Sequence, residues 1–209
     1  LKLLTEKGLP PKKFIGEIKT IQNKIKLVDY YEFESENISK KKSEISDISS
    51  LMYTSGTTSS PKGVPIKHEN TIFTTKNIVN VLKYTNSDID VIPLSLSHSF
   101  GLGCLHTSLF VGSTLNLHKN TMNILEILNS IKKNNATTFA AVPATLTLLV
   151  NSFPEKFVEK CNGLRLIITN STKIPKDTIN KILNILPNTK FATYYGLTEA
   201  SRSTFMIFN

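Results

Sequence analysis

Tyr53-Thr54-Ser55-Gly56-Thr57-Thr58-Ser59-Ser60-Pro61-Lys62-Gly63-Val64 is the stretch on which the fold turns. A short apolar run at 51–54 precedes the hydroxyl-rich part and has strand character. After it comes 67–83, where Ile72, Val79 and Leu82 recur at helical spacing. Strand, turn and helix in that order open a layered α/β fold. The turn has chemistry of its own. Consecutive Ser and Thr hydroxyls and free backbone N–H groups can surround phosphate oxygens, Gly56 and Gly63 let the backbone approach, and Lys62 adds positive charge. A Walker A loop is excluded, because Pro61 precedes Lys62 and Gly63 follows it. A plain surface turn rich in Ser and Thr has the same composition, so on these residues alone both readings stand.

Working outward, strand-like runs at 91–96, 113–117, 137–142, 164–169 and 191–194 alternate with helical stretches, the pattern of a largely parallel sheet flanked by helices. In 175–186, Ile179, Ile182, Leu183 and Leu186 form one apolar stripe, with Pro175 starting the helix and Pro187 stopping it. In 122–133, Ile124, Ile127, Leu128 and Ile131 repeat the spacing. Thr204-Phe205-Met206-Ile207-Phe208 reads as a further strand, and before residue 49 only 24–30 has strand character. Ligands of such sheets sit at the carboxyl ends of the strands, which directs attention to the residues just after each one.

Composition narrows the function classes. The 209 residues are 40% hydrophobic and 20% charged, enough for one large domain or two small ones. No apolar run approaches the roughly 20 residues that span a bilayer, and no signal-peptide core is present, which disfavours membrane and secreted roles. Two cysteines, Cys104 and Cys161, are too few for a disulfide scaffold and fit a reducing compartment such as the cytoplasm. The net charge of +9 raises the question of nucleic acid, but Arg165 and Arg202 are the only arginines among 25 basic residues. Scattered lysines without interleaved aromatics read as a solvated surface, so no nucleic-acid partner is expected. Cys104 and His106 on one short segment do not make a closed metal site, and no GxSxG elbow marks a serine hydrolase. The chain begins at Leu1 without Met and stops just after a strand-like run, so a piece of a longer protein is expected. Nothing in the sequence indicates an oligomeric state.

The string quoted at the outset closely resembles the phosphate loop of the adenylate-forming superfamily, which includes acyl-CoA synthetases, peptide-synthetase adenylation domains and firefly luciferase. Two further segments agree in order and rough spacing. Tyr195-Gly196-Leu197-Thr198-Glu199-Ala200-Ser201 resembles the family's second signature, and Ser97-His98-Ser99-Phe100-Gly101-Leu102 resembles the segment where a family histidine precedes a Gly-Leu pair. The resemblance covers most of 49–205. It implies that Thr54, Ser55, Gly56, Thr57, Thr58 and Lys62 line the β- and γ-phosphates of ATP. It further implies that Asn170, Ser171, Thr172 and Tyr195 form the adenine site, that Thr198 contacts the α-phosphate, and that Glu199 holds Mg²⁺. His98 would sit where the acyl group meets the adenylate; as a lone histidine it also fits an ordinary packed or surface position.

Three departures stand out. Ser59 replaces a usual glycine, Asn170-Ser171-Thr172 replaces a Gly-Gly-Ala-like adenine segment, and Ser95 replaces a frequent proline. The family's ribose-binding aspartate and its mobile lysine-bearing C-terminal domain have no counterpart in these residues. The resemblance thus implies that 1–209 is the central part of the ATP-binding domain, crossing between lobes near 85–90, with Glu199 and the phosphate loop meeting at the cleft. The expected parent activity is ATP-dependent activation of a small-molecule carboxylic acid to an acyl-adenylate, followed by transfer to CoA. The Gly-Thr-Thr loop and Gly-Leu-Thr-Glu-Ala-Ser string look more like acyl-CoA synthetases. An amino-acid adenylation domain, or a nucleotide-binding module without turnover, are the alternatives.

Overall fold

A computed structural model describes residues 2–5, 26–27, 47–54, 62–118 and 123–209. Its framework is an eight-stranded sheet. In chain order the strands are β1 (Lys2–Thr5), β2 (Lys26–Leu27), β5 (Ile89–Ile92), β6 (Thr114–Leu117), β7 (Thr138–Ala140), β8 (Leu166–Thr169), β9 (Lys190–Tyr195) and β10 (Thr204–Phe208). They lie side by side as β10-β9-β8-β7-β5-β6-β1-β2, parallel throughout except for β10, which returns antiparallel along β9. The remaining strands, β3 (Ile48–Thr54) and β4 (Lys62–Lys67), form a separate antiparallel pair.

That pair corrects the placement of the 51–54 run, which the alternating pattern assigns to the parallel sheet. Residues 55–61 are too few for a parallel crossover, which needs a dozen or more, so the chain can only turn back on itself.

Six helices cover the sheet among the described residues: α1 (His68–Leu82), α2 (Ser99–Val111), α3 (Ile124–Lys133), α4 (Pro143–Ser152), α5 (Pro154–Cys161) and α6 (Lys176–Ile185). Alternation along each strand divides the core in two. Val91, Phe139, Ile167 and Phe191 point to the face covered by α3 to α6, whereas Ile92, Ala140, Ile168 and Ala192 point to the face covered by α1 and α2. Both faces are covered, so the central strands are mostly apolar, with Asp90, Asn116 and Thr138 as buried polar exceptions. Two of the three expected stripes are confirmed: Ile127, Leu128 and Ile131 of α3, and Ile179 and Ile182 of α6, are buried in the first cluster. In α1 the buried face is Thr75, Ile78 and Leu82, with Val79 partly buried, whereas Ile72 of the expected stripe is exposed.

The sequence reading misses α2, α4 and α5. α2 runs through Gly101 and Gly103 and shows no polar face, because sheet and α1 enclose most of it; burial overrides poor helix propensity there. The expected strand at 91–96 ends at Ile92, since Pro93 cannot donate to the ladder. Pro143 likewise cuts the run at 137–142 short and occupies the first turn of α4.

Charged groups lock the amino-terminal edge of the sheet. Asp88, just before β5, accepts from Arg165 Nε and Nη2 at 2.6 Å each, from Thr137 Oγ1 at 2.8 Å and from Thr85 N at 2.8 Å. Arg165 also donates to the carbonyls of Leu82 and Lys83 at 3.2 Å, closing the end of α1. Deeper in, Asp90 accepts from Ser108 Oγ of α2 at 2.8 Å, Ser113 Oγ at 2.9 Å and Thr138 Oγ1. Burial raises the Asp90 pKa despite those three donors.

Candidate active site

The signature at 195–201 forms the tight connection between β9 and β10. Leu197 N donates to Ala200 O at 3.1 Å, Ala200 N returns a bond to Leu197 O at 3.2 Å, and Ser203 Oγ adds a third at 2.7 Å. Gly196 is required by close approach: a Cβ there would stand 2.3 Å from Arg202 N and 2.9 Å from Ala200 O, both backbone.

This turn faces a cavity of about 370 Å³. One wall is Thr198, Glu199, Arg202 and Ser203; a second is Ser99, Leu102, Gly103 and His106 of α2; the third is the β3–β4 pair through Met52, Val64 and Ile66, with Asn70 and Thr74 of α1. Thr198 is half-buried, and Glu199 is exposed with no hydrogen bond or ion pair to its carboxylate among the described residues.

Of the expected site residues that the structure describes, Thr198 and Glu199 alone line this cavity. Thr54 and Lys62 face each other at the end of the β3–β4 pair, where Thr54 Oγ1 donates to Lys62 O at 3.5 Å; they lie outside the cavity lining, next in register to Tyr53 and Gly63. Ser55, Gly56, Thr57, Thr58 and Ser59 lie outside the described residues. Tyr195 is 64% exposed at the carboxyl end of β9. Asn170, Ser171 and Thr172 follow the carboxyl end of β8, which pairs with β9 through Thr169 and Thr193, so the two segments expected at adenine are neighbours. Ser171 has φ 92, a conformation glycine adopts more easily. His98 sits exposed at the N-cap of α2, with Leu102 N donating to its carbonyl at 3.0 Å. The cavity itself is reached from that helix by His106, two turns further on.

Arg202 escaped the sequence reading as a site residue. The residue is 7% exposed, with φ 55, and its guanidinium lies 4.8 Å from the centroid of the Tyr194 ring. Nη2 donates to Phe100 O at 3.0 Å and approaches Cys104 Sγ at 3.7 Å. Gly103 makes the room, since a Cβ there would fall 1.7 Å from Arg202 Nη1. The available signal was one of two arginines in a chain that otherwise uses lysine, one residue past the signature. Burial depresses the His106 pKa, and the Arg202 charge depresses it further, which keeps the imidazole neutral. Burial pushes the Tyr194 hydroxyl up to about 12 and the Cys104 thiol up to about 11, Arg202 opposing both.

The family profile of AMP-binding enzymes matches residues 7–208. The chain belongs to that family. The match starts well ahead of the segment from 49 onward in which the motifs are legible. Among curated relatives, the chain is 31% identical over 164 residues to acyl-CoA ligase SID4 of Ajellomyces capsulatus, covering 78% of this chain and 28% of that protein. Among solved structures, VinN in complex with L-aspartate superposes with a TM-score of 0.71 at 28% identity, over 80% of this chain and 42% of that one. The o-succinylbenzoate CoA synthetase of Bacillus subtilis in complex with AMP gives 0.64 at 29%, over 75% and 31%. The chain therefore spans well under half the length of the proteins it resembles. Among the described residues no helix is long and apolar enough to cross a membrane.

Proposed function

We propose that this chain supplies the nucleotide phosphate and adenine site of an acyl-CoA ligase. In the parent reaction a carboxylate oxygen attacks the α-phosphorus of ATP, the acyl–O–P bond forms, and pyrophosphate leaves with the electrons of the broken Pα–O bond. The CoA thiol then attacks the acyl carbon and AMP departs. The carrying observation is that Thr198 and Glu199 share one cavity with the β3–β4 pair whose ends bracket 55–61. Family membership and relatives named as acyl-CoA ligases support the reading.

In this reading Lys62, the hydroxyls of Thr54, Ser55, Thr57 and Thr58, and the backbone at Gly56 hold the β- and γ-phosphates and offset charge as pyrophosphate leaves. Thr198 donates to the α-phosphate, Tyr195 stacks on adenine beside Asn170, Ser171 and Thr172, and His98 borders the acyl–adenylate junction. A magnesium ion fits the site, because Glu199 offers an unengaged carboxylate and this cation takes one or two carboxylates together with substrate phosphates. When bound, it neutralises phosphate charge. Residues 1–209 then form the central part of the ATP-binding domain, crossing between lobes near 85–90, and the lysine-bearing domain comes from elsewhere in the parent protein. The two buried free thiols fit a cytoplasmic setting.

Calorimetric titration of the chain with MgATP tests this. Saturable heat is expected, weakened about 10- to 100-fold by Lys62→Ala and by Glu199→Ala, the range of one lost charge-assisted contact. Folded protein that gives no heat overturns the reading.

A further inference from the structure

Arginine stays charged in proteins, and Arg202 is only 7% exposed in the cavity wall. No carboxylate among the described residues lies within ion-pair distance of it. Its partners are the Phe100 carbonyl, the weakly accepting Cys104 sulfur and the Tyr194 ring; Nε and Nη1 make no hydrogen bond among the described residues. Arg202 and its neighbour His106 both line the cavity. Buried charges are ordinarily paired, so a cavity built this way is complete only with an anion in it.

The reacting carboxylate of the acid is the wrong anion for this position. Its charge disappears when it becomes an acyl-phosphate ester, which would strand the guanidinium in the intermediate, and a guanidinium clamped on the attacking oxygen would dull its nucleophilicity. The partner that satisfies Arg202 before and after the chemistry is a group whose charge survives. The nucleotide phosphates keep theirs too, but the reading above assigns them to Lys62, Thr198 and the cation on Glu199, which leaves for Arg202, in its slot beside the Phe100 carbonyl and Cys104, a second charge on the acid itself.

We propose, building on the ligase reading above, that Arg202 is a specificity determinant that binds a second, unreacting carboxylate, so the acid activated is a dicarboxylate. The bidentate fork of arginine suits a carboxylate, and His106 on the same cavity brings a further N–H donor. Gly103 is then part of the specificity device, because any side chain there would evict the guanidinium from its slot.

The test is acid-dependent ATP–pyrophosphate exchange by the full-length protein, using succinate, glutarate and adipate, each against its monomethyl ester. The ester keeps one reactive carboxylate and removes the second charge. Losing one partner of a buried charge pair predicts a preference on the order of 100-fold in kcat/KM for the best diacid over its ester. In Arg202→Met the ratio is expected to collapse toward one, and in Arg202→Lys to persist in part. If Arg202→Met does not fold, the wild-type ratio and the Lys variant decide. Exchange with the esters as fast as with the diacids overturns the assignment and leaves the ligase reading standing. A diacid preference that survives in folded Arg202→Met also overturns it. No exchange with any acid from folded protein overturns the ligase reading and this proposal with it.

Discussion

Replacing Asp88 with Asn separates what holds the sheet together from what binds the ligand. The carboxylate is 3% exposed and takes two 2.6 Å contacts from Arg165, a 2.8 Å bond from Thr137 and a 2.8 Å bond from Thr85 N. Asn keeps one acceptor oxygen and turns an N–H₂ group toward donors, leaving the guanidinium without its counter-charge. Breaking a fully buried pair costs roughly 3–5 kcal/mol. The Arg165 side chain is 36% exposed, so water recovers part of this and about 2–4 kcal/mol is expected. A domain of this size has roughly 5–15 kcal/mol in hand, so the variant folds. Urea unfolding followed by circular dichroism reads the loss. The clasp sits at the amino-terminal edge of the sheet, opposite the carboxyl ends that carry Asn170 and Tyr195, so MgATP affinity should change less than about threefold while the midpoint falls. Burial alone would raise the Asp88 pKa, but the Arg165, Thr85 and Thr137 hydrogen bonds outweigh it and hold the carboxyl below its ordinary value. A depressed folded pKa means stability present above about pH 4 and lost as pH falls through the folded value. Wild type should therefore shed this contribution in acid, and Asp88→Asn should lack that part of the pH dependence. A loss under about 1 kcal/mol at neutral pH, or a tenfold change in MgATP affinity, would refute the reasoning.

Two further outcomes are expected. Gly196→Ala drives a methyl into the backbone of Arg202 and Ala200, so the signature turn must open; a stability loss of about 1–3 kcal/mol and an at least tenfold loss of MgATP binding in calorimetry are expected. Gly163→Ala meets nothing within 4 Å and should stay within about 0.5 kcal/mol of wild type, which serves as the control. Burial raises the pKa of both thiols, so Cys104 and Cys161 should resist a disulfide reagent at pH 8 in the native state and both react in urea; rapid native labelling of Cys104 would show that the α2 face is open.

Much of the architecture could be read from periodicity. The stripes of α3 and α6 are strongly one-sided, with Ile127, Leu128 and Ile131 or Ile179 and Ile182 against a single sheet face, and such helices announce themselves wherever they pack. α2 does not, because it is enclosed on most sides and carries two glycines whose places are set by a neighbour's side chain and carbonyl rather than by local preference. The pairing of β3 with β4 was also hidden, since an apolar run looks alike in a parallel sheet and in a hairpin until the length of the return is weighed.

The site divides the same way. Resemblance to the family's motifs pointed to Thr198, Glu199 and Tyr195, and the hydroxyls and lysine of 53–64 carried a phosphate reading of their own. Arg202 and His106 belong to no local pattern: they meet across 96 positions (202 minus 106) of sequence, on α2 and past β9, and only folding brings them to one cavity. Sequence determined the family, through motifs that are local properties of the chain. Tertiary structure alone decided which charge was left buried without a counter-charge among the described residues, because desolvation and pairing are properties of the packed molecule.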